Sequence, residues 1–464
     1  MDKLNNLSDE IWGYGETGFK ESKSCDAMCK FLAEEGFKVK KGIADMPTAY
    51  EATYGSGKPV ISFLCEYDAL YGLNQEADLN EYKPITNSDD TGHGCGHNLL
   101  GVGSIDAALK YKDWLIKNNK QGTIKVVGCP AEESGSGKAY LARDGYFDDC
   151  DIAITWHPGL YNMVVTGSSL SNIVCFFRFK GVASHASSNP ELGRSALDAA
   201  ELMNVGVNYL REHMESTDRI HYAYINAGGK SPNVVQSDVI VKYFVRSKDN
   251  PTVEKLYERV INCAKGAALM TGTKVEIIFD EGLSNTVANE TLEKIAEESF
   301  KNIYKFDYSK EELEYAQKFK DTFNIDNVIS TIPVSIKDKY KLIEDIKNKP
   351  IHSYVLDRIH YDDVEMGSTD VGDVSWCVPT IQINTACYAY GAGAHSWQWV
   401  AQGKSSIAHK GYKLAGDVLC DIAIKLNENP DLIKQAKDEL NTKLNGHKYK
   451  SLIPNDVKPH ISEI

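Results

Sequence analysis

The loop Gly92-His93-Gly94-Cys95-Gly96-His97-Asn98 sets a thiol and an imidazole one residue apart among glycines. Glycines let a backbone wrap closely around an ion, and a thiolate plus an imidazole are strong ligands for a borderline divalent metal. Taken alone, Cys95 would read as one more small buried thiol. Pro130-Ala131-Glu132-Glu133-Ser134-Gly135 adds adjacent carboxylates. One of the pair can bind a metal while its neighbour takes a proton from a water that the metal acidifies. His157, in Thr155-Trp156-His157-Pro158-Gly159, and His395, at the end of Gly391-Ala392-Gly393-Ala394-His395, supply further imidazoles. One Cys, three His and two Glu furnish five ligands and one base. Five protein ligands exceed what a single catalytic zinc takes, so the set points to two metals sharing a bridging group.

Short apolar runs must position these segments. Residues 60–64 lead to Glu66 and Asp68, 124–127 to Glu132 and Glu133, 152–154 to His157, and 380–383, through the Gly-rich loop, to His395. Such runs alternating with helical stretches predict an α/β domain, whose sites form just beyond the carboxyl ends of its strands. Helical spacing over 4–12 and 25–32, with Gly36 stopping the second stretch, predicts two helices ahead of the sheet. Residues 170–283 have another texture: strands over 173–179, 222–226, 239–245 and 274–280, with long helices over 196–214 and 253–270. That block reads as an inserted α+β domain. The catalytic α/β domain would then comprise 1–169 and 284–464, interrupted by a charged, Tyr-rich insertion of weak periodicity at about 306–365.

A chain of 464 residues suits two domains, and 42% hydrophobic with 25% charged residues is ordinary globular composition. The net charge of −14 argues against a general nucleic-acid binder and against binding to anionic membranes. Met1 to Leu7 has neither a basic nor an apolar region of the secretory kind, and no apolar run is long enough to span a bilayer. The 11 cysteines form no framework of regular spacings and read as reduced thiols, so a cytoplasmic location is expected.

Cys65-Glu66-Tyr67-Asp68-Ala69-Leu70, Gly92 through Leu100, Ala131-Glu132-Glu133, His157-Pro158 and Gly181-Val182-Ala183-Ser184-His185-Ala186 occur in the order seen in a known family. The chain resembles the metallopeptidase–amidohydrolase family of aminoacylases, hippurate hydrolases and indoleacetyl-amino-acid hydrolases. Within it, Ala394 through Val400 and Ile407 through Gly411 resemble the p-aminobenzoyl-glutamate hydrolase branch.

The resemblance implies a zinc-peptidase-like α/β catalytic domain with an inserted α+β dimerisation, or lid, domain. It implies that Cys95 bridges two divalent metal ions, zinc or manganese, that His97, Glu133, His157 and His395 complete the ligand set, and that Glu132 is the general base and acid. His185 would reach the partner's site in a homodimer and steady the oxyanion, while Asn233 and Arg246 would bind the substrate carboxylate.

The broader family often carries a His two residues before the Asp of its first metal loop. Here that triplet is Glu66-Tyr67-Asp68, and a cysteine stands where others have a bridging Asp. The division of ligands between the metals therefore stays open, and Asp68 reads as a residue that orients a ligand. Glu66, His93, Asp370 and Asp373 receive no role. The activity implied is hydrolysis of the amide of an N-acyl or N-aroyl amino acid. The rivals are a dipeptidase of the same fold, a metal-binding subunit of a two-chain hydrolase, and catalysis by Cys95 as a nucleophile.

Overall fold

The apolar runs become the middle of a seven-stranded sheet. Its order is Lys38–Lys41, Tyr50–Ser56, Gly122–Gly128, Val60–Cys65, Ile152–Gly159, Thr380–Ala386 and Met163–Val164. The four central strands are parallel: Val60–Cys65 pairs with Gly122–Gly128 and Ile152–Gly159, and the latter with Thr380–Ala386. The outer strands close both sides in antiparallel fashion. This computed structural model describes residues 2–461 except 87, 88, 306, 331, 333–335, 337, 358, 361–363 and 392.

Every side chain of Val60–Cys65 is buried, as expected of a central parallel strand covered on both faces. Helix His97–Lys117 lies on that strand and packs along Ser406–Glu428, with Leu99, Val102, Ile105 and Tyr111 in the core. The chain passes from Val60–Cys65 through this helix to Gly122–Gly128 on one side, then crosses to Ile152–Gly159 on the other. A crevice forms outside the carboxyl ends where successive connections diverge in this way.

The chain divides into two compact units. The first holds the seven-stranded sheet and comprises residues up to Gly167, Val287–Asp363 and Val374–Tyr449. The second comprises Ser168–Thr286, Val364–Asp373 and the chain from Lys450 onward.

In the second unit the strands run in the order Arg219–Asn226, Asp238–Ser247, Ser171–Lys180, Lys274–Leu283, all antiparallel. With helices Ala196–Leu210 and Asn250–Thr271 this is the β-α-β-β-α-β arrangement of a ferredoxin-like layer. Ile173, Cys175, Phe177 and Phe179 alternate into its core, as do Val239, Val241, Tyr243 and Val245, and the helices contribute Ala199, Met203, Val207, Leu256 and Val260. The helix expected over 196–214 stops at Leu210, and Arg211–His213 tightens into a 3-10 turn. Arg211 sets that end by donating from Nε to Asn208 Oδ1 (3.0 Å) and from Nη2 to the Ile220 carbonyl of the next strand (2.7 Å).

The region of weak periodicity is helical over Lys310–Lys320, Ile325–Ser330 and Lys339–Asn348. Its few apolar residues gather in a small cluster in which Val328, Leu342, Ile346 and Leu356 surround Tyr161 and Tyr390. The first of these helices starts at a capping box, in which Ser309 and Glu312 satisfy each other's backbone amides.

Asn289 caps helix Glu290–Ile303 by accepting from Leu292 N (3.1 Å), and its amide donates to the Ala436 carbonyl (2.8 Å) from a buried position. Asn289→Ala uncaps a helix start and removes the side-chain bond that ties it to helix Pro430–Leu444. A loss of about 1–3 kcal/mol is expected, read as a lower urea midpoint at unchanged slope.

Candidate metal centre

Cys95, His97 and His157 approach one another closely enough for one ligand atom from each to lie within 4.8 Å of the others. The same holds for Cys95, Glu133 and His395, and for Glu66, His97 and Glu132. Cys95 belongs to the first two sets, the position a bridging ligand would take. The structure therefore gathers Cys95, His97, Glu132, Glu133, His157 and His395 at one edge of the sheet.

Local backbone geometry builds this cluster. Gly96 precedes the first residue of helix His97–Lys117 at φ +77, and a side chain there would run into the Tyr388 hydroxyl. The turn after strand Gly122–Gly128 starts at Ala131, held at φ +57. Ala131 N donates to Glu21 Oε1 (2.8 Å), and Ala131 O accepts from Gly135 N (2.9 Å) and Ser136 N (2.8 Å). His395 is also left-handed, at φ +60, and its N–H donates to the Gly94 carbonyl (2.8 Å). Non-glycine residues hold such conformations where surrounding bonds over-determine them.

Polar partners fix how the ligand atoms face. His157 Nδ1 lies 2.7 Å from the Pro158 carbonyl, which leaves Nε2 facing Cys95 Sγ at 3.3 Å. His97 Nδ1 meets Asp68 Oδ1 at 2.8 Å, and Asp68 Oδ2 accepts from Glu133 N at 2.9 Å. One carboxylate thus orients an imidazole and the backbone of a neighbouring carboxylate. His97 Nε2 faces Glu66 Oε2 at 3.2 Å and Glu133 Oε1 at 3.9 Å, and His395 Nε2 lies 3.3 Å from Glu133 Oε1.

The donor set fits a divalent metal. His97 Nε2 and Glu133 Oε1 are buried and lack a hydrogen-bond partner among the described residues, and both converge on the Cys95 region. A cation is what would satisfy such a nitrogen, oxygen and sulfur together.

The titration behaviour reflects the same crowding. Burial pushes the Cys95 thiol up, although His97 opposes this. Burial disfavours a charged His97, yet Asp68 and Cys95 together raise its proton affinity well above the histidine range. Burial lowers His157. Glu133 overcomes its burial through the nearby His395 and His97, and falls to about 2.

Two contributors carry no signal in the residue-type pattern. Lys138 is fully buried, with Nζ 2.7 Å from Glu66 Oε1; a lysine closing the small-residue run Ser134-Gly135-Ser136-Gly137 was the available clue. Glu21 is buried too, and only its place at a helix start could have pointed to it. His93 is buried with Nε2 3.1 Å from the Ile11 carbonyl. Asp373 accepts from Ser284 N (3.0 Å) and Oγ (2.7 Å) within the second unit.

His185, Asn233 and Arg246 also belong to the second unit. His185 and Asn233 are adjacent at the surface, joined by Ala186 N donating to Asn233 O (2.9 Å), and His185 Nδ1 accepts from Ser188 N (3.1 Å). Arg246 lies on strand Asp238–Ser247 with its guanidinium 5.5 Å from the Phe244 ring centre.

Residues 63–338 match the model of peptidase family M20/M25/M40. One of the two named polypeptides of p-aminobenzoyl-glutamate hydrolase from Escherichia coli is 39% identical over 465 residues, spanning 98% of this chain and 96% of that protein. The chain belongs to the peptidase family M20/M25/M40. This makes it a metal-dependent hydrolase of amide bonds. The Xaa-Arg dipeptidase of Mus musculus is 30% identical over 304 residues, 63% of this chain and 66% of its own. A dinuclear metal binding peptidase of the M20 family from Bacillus subtilis shares the fold, with a TM-score of 0.56 at 15% identity over 92% of this chain and 98% of its own. No helix among the described residues of this M20 chain is long and apolar enough to cross a membrane.

Burial, with the nearby Asp68 charge, pushes the Glu21 carboxyl up to about 8. A folded value above the unfolded one means that its proton stabilises the folded state at low pH. That contribution is whole below the ordinary carboxylate range and is lost as pH rises towards 8. In metal-stripped protein, Glu21→Gln should therefore weaken the fall in stability between about pH 5 and 8, measured by urea unfolding across that range.

Proposed function

We propose that this chain hydrolyses the amide joining an aroyl or acyl group to an amino acid, with p-aminobenzoyl-glutamate as the type substrate. The observation that carries the reading is the convergence of Cys95, His97, Glu133, His157 and His395 with Glu132 among them. In this reading Cys95, His97, Glu133, His157 and His395 would hold two divalent ions, and Asp68 and the Pro158 carbonyl orient the imidazoles. The soft thiolate favours zinc, with manganese as the alternative. Two bound ions would acidify a water and polarise the amide carbonyl. Glu132 takes the proton as the water attacks and returns it to the leaving amine.

Arg246 and Asn233 are assigned to the substrate carboxylate. A guanidinium whose buried Nε has no hydrogen-bond partner among the described residues suits an anion. His185 of the partner subunit would steady the oxyanion, which requires a homodimer. Strand Arg219–Asn226 is an edge of the second unit's sheet, with Tyr222, Tyr224 and Ile225 exposed, a surface suited to pairing with a second copy. A second, different hydrolase polypeptide stays in the scheme because the Escherichia coli relative is itself one of two that share a name. We place the protein in the cytoplasm, consistent with free thiols at all its cysteines. A dipeptidase reading is favoured by one observation, the likeness to the Xaa-Arg dipeptidase.

Elemental analysis should find two divalent ions per chain. Glu132→Gln should keep both while kcat falls about 10²–10⁴-fold; near-normal turnover would remove Glu132 from the mechanism. A panel of p-aminobenzoyl-glutamate, N-acyl amino acids and dipeptides, run on metal-loaded protein with and without chelator, should rank the aroyl substrate first. Activity that survives chelation but not thiol alkylation would favour Cys95 as a nucleophile instead. Ile225→Lys should convert the dimer to a monomer in sedimentation velocity.

A further inference from the structure

His395 is the most exposed of the proposed ligands, with half its side chain open to solvent. It sits on an irregular loop between strand Thr380–Ala386 and helix Trp397–Gln402. Beyond its bond to Gly94 and its approach to Glu133, its placement depends on how the stem of that loop is held. Ordering such a loop costs conformational entropy, so precise placement needs fixed anchors.

The anchors come from the segment that neither sheet uses. Tyr390 is fully buried, and its amide donates to the Pro350 carbonyl (2.8 Å). Its hydroxyl lies 2.6 Å from Asp345 Oδ2 and 2.6 Å from His352 Nδ1. A phenol has a single proton, which goes to the carboxylate, so His352 must donate from Nδ1. Burial holds His352 down to about 3, so it stays a neutral donor.

Each partner is itself braced. Asp345 Oδ1 pairs with Lys349 Nζ at 2.8 Å, and the His352 ring packs against Tyr354 and edge-on against Tyr161. The next residue, Gly391, is at φ +100, where a Cβ would lie 3.1 Å from the Phe323 side chain. On the other side of the stem, Ala389 N donates to Gln402 Oε1 (2.9 Å). The loop is therefore pinned through a hydroxyl, two amides and one close backbone approach, starting six residues before His395.

We propose that Asp345, Tyr390 and His352 form a hydrogen-bonded clamp that positions His395, so that the 310–356 segment sets the affinity of the ion His395 holds. This rests on the metal-centre reading above. The three are positioning residues; none touches the ligand cluster in the structure.

The test is made on full-length protein loaded with zinc, comparing wild type with Tyr390→Phe and Asp345→Asn. Ion stoichiometry is read by elemental analysis during titration with a competing chelator. In both variants one ion should be held about tenfold or more weakly, while the other keeps its wild-type affinity. Excess zinc should restore turnover in Tyr390→Phe. Two ions held as in wild type, with only a lower melting temperature, would overturn the clamp and leave an ordinary core network. If Tyr390→Phe does not fold, His352→Gln removes one arm and decides by the same readout. A wild-type protein that binds no zinc would overturn the metal-centre reading itself, an outcome distinct from intact binding in the variants.

Discussion

Four strands running the same way through the middle of one sheet must deliver their carboxyl ends to a single edge, and each of the proposed ligands hangs from that edge. Glu66 and Asp68 leave Val60–Cys65, Glu132 and Glu133 leave Gly122–Gly128, His157 is still within its strand, and His395 follows Thr380–Ala386. Helix His97–Lys117 begins with a proposed ligand because it must cross from one of these strands to its neighbour. An antiparallel core would scatter the same residues to opposite ends.

That convergence concentrates charge where water is scarce. Glu66, Asp68 and Glu133 crowd around His97, and burying carboxylates costs several kcal/mol each unless they are compensated. Lys138 balances Glu66 from within the protein, and Asp68 spends both oxygens on bonds that orient its neighbours. What is left over is an imidazole nitrogen, a carboxylate oxygen and a thiol facing inward, a deficit that divalent cations make good. Part of the fold's stability would thereby be linked to ion concentration.

The central strands were legible because continuous apolar runs flanked by turns have few other fates, and the residues that cluster at their ends because Cys, His and paired Glu are rare in glycine-rich loops. Lys138 and Glu21 were not, since a buried charge has the same letter as a solvated one and only three-dimensional neighbours tell them apart. The helices within 310–348 were blurred by their charge: Lys310–Lys320 shows little more than Leu313, Tyr315, Ala316 and Phe319 as an apolar stripe, although Ser309 and Glu312 spelled a readable cap. Segments 364–373 and 450–454 join the second unit through single backbone and side-chain bonds that leave no period in the sequence.

Those two short segments bear on how the chain is made. Leu452 fills a place in the second unit's core beside Gly282, Lys450 pairs with Glu254, and Gly367 and Asp373 hold Leu170 and Ser284. The ferredoxin-like layer is continuous in sequence only in part. On the ribosome its sheet and most of its core can form early, but Leu452 joins them only after some 170 further residues have been translated. Until then, the apolar side chains that Leu452 packs against stay open to chaperones and to proteases.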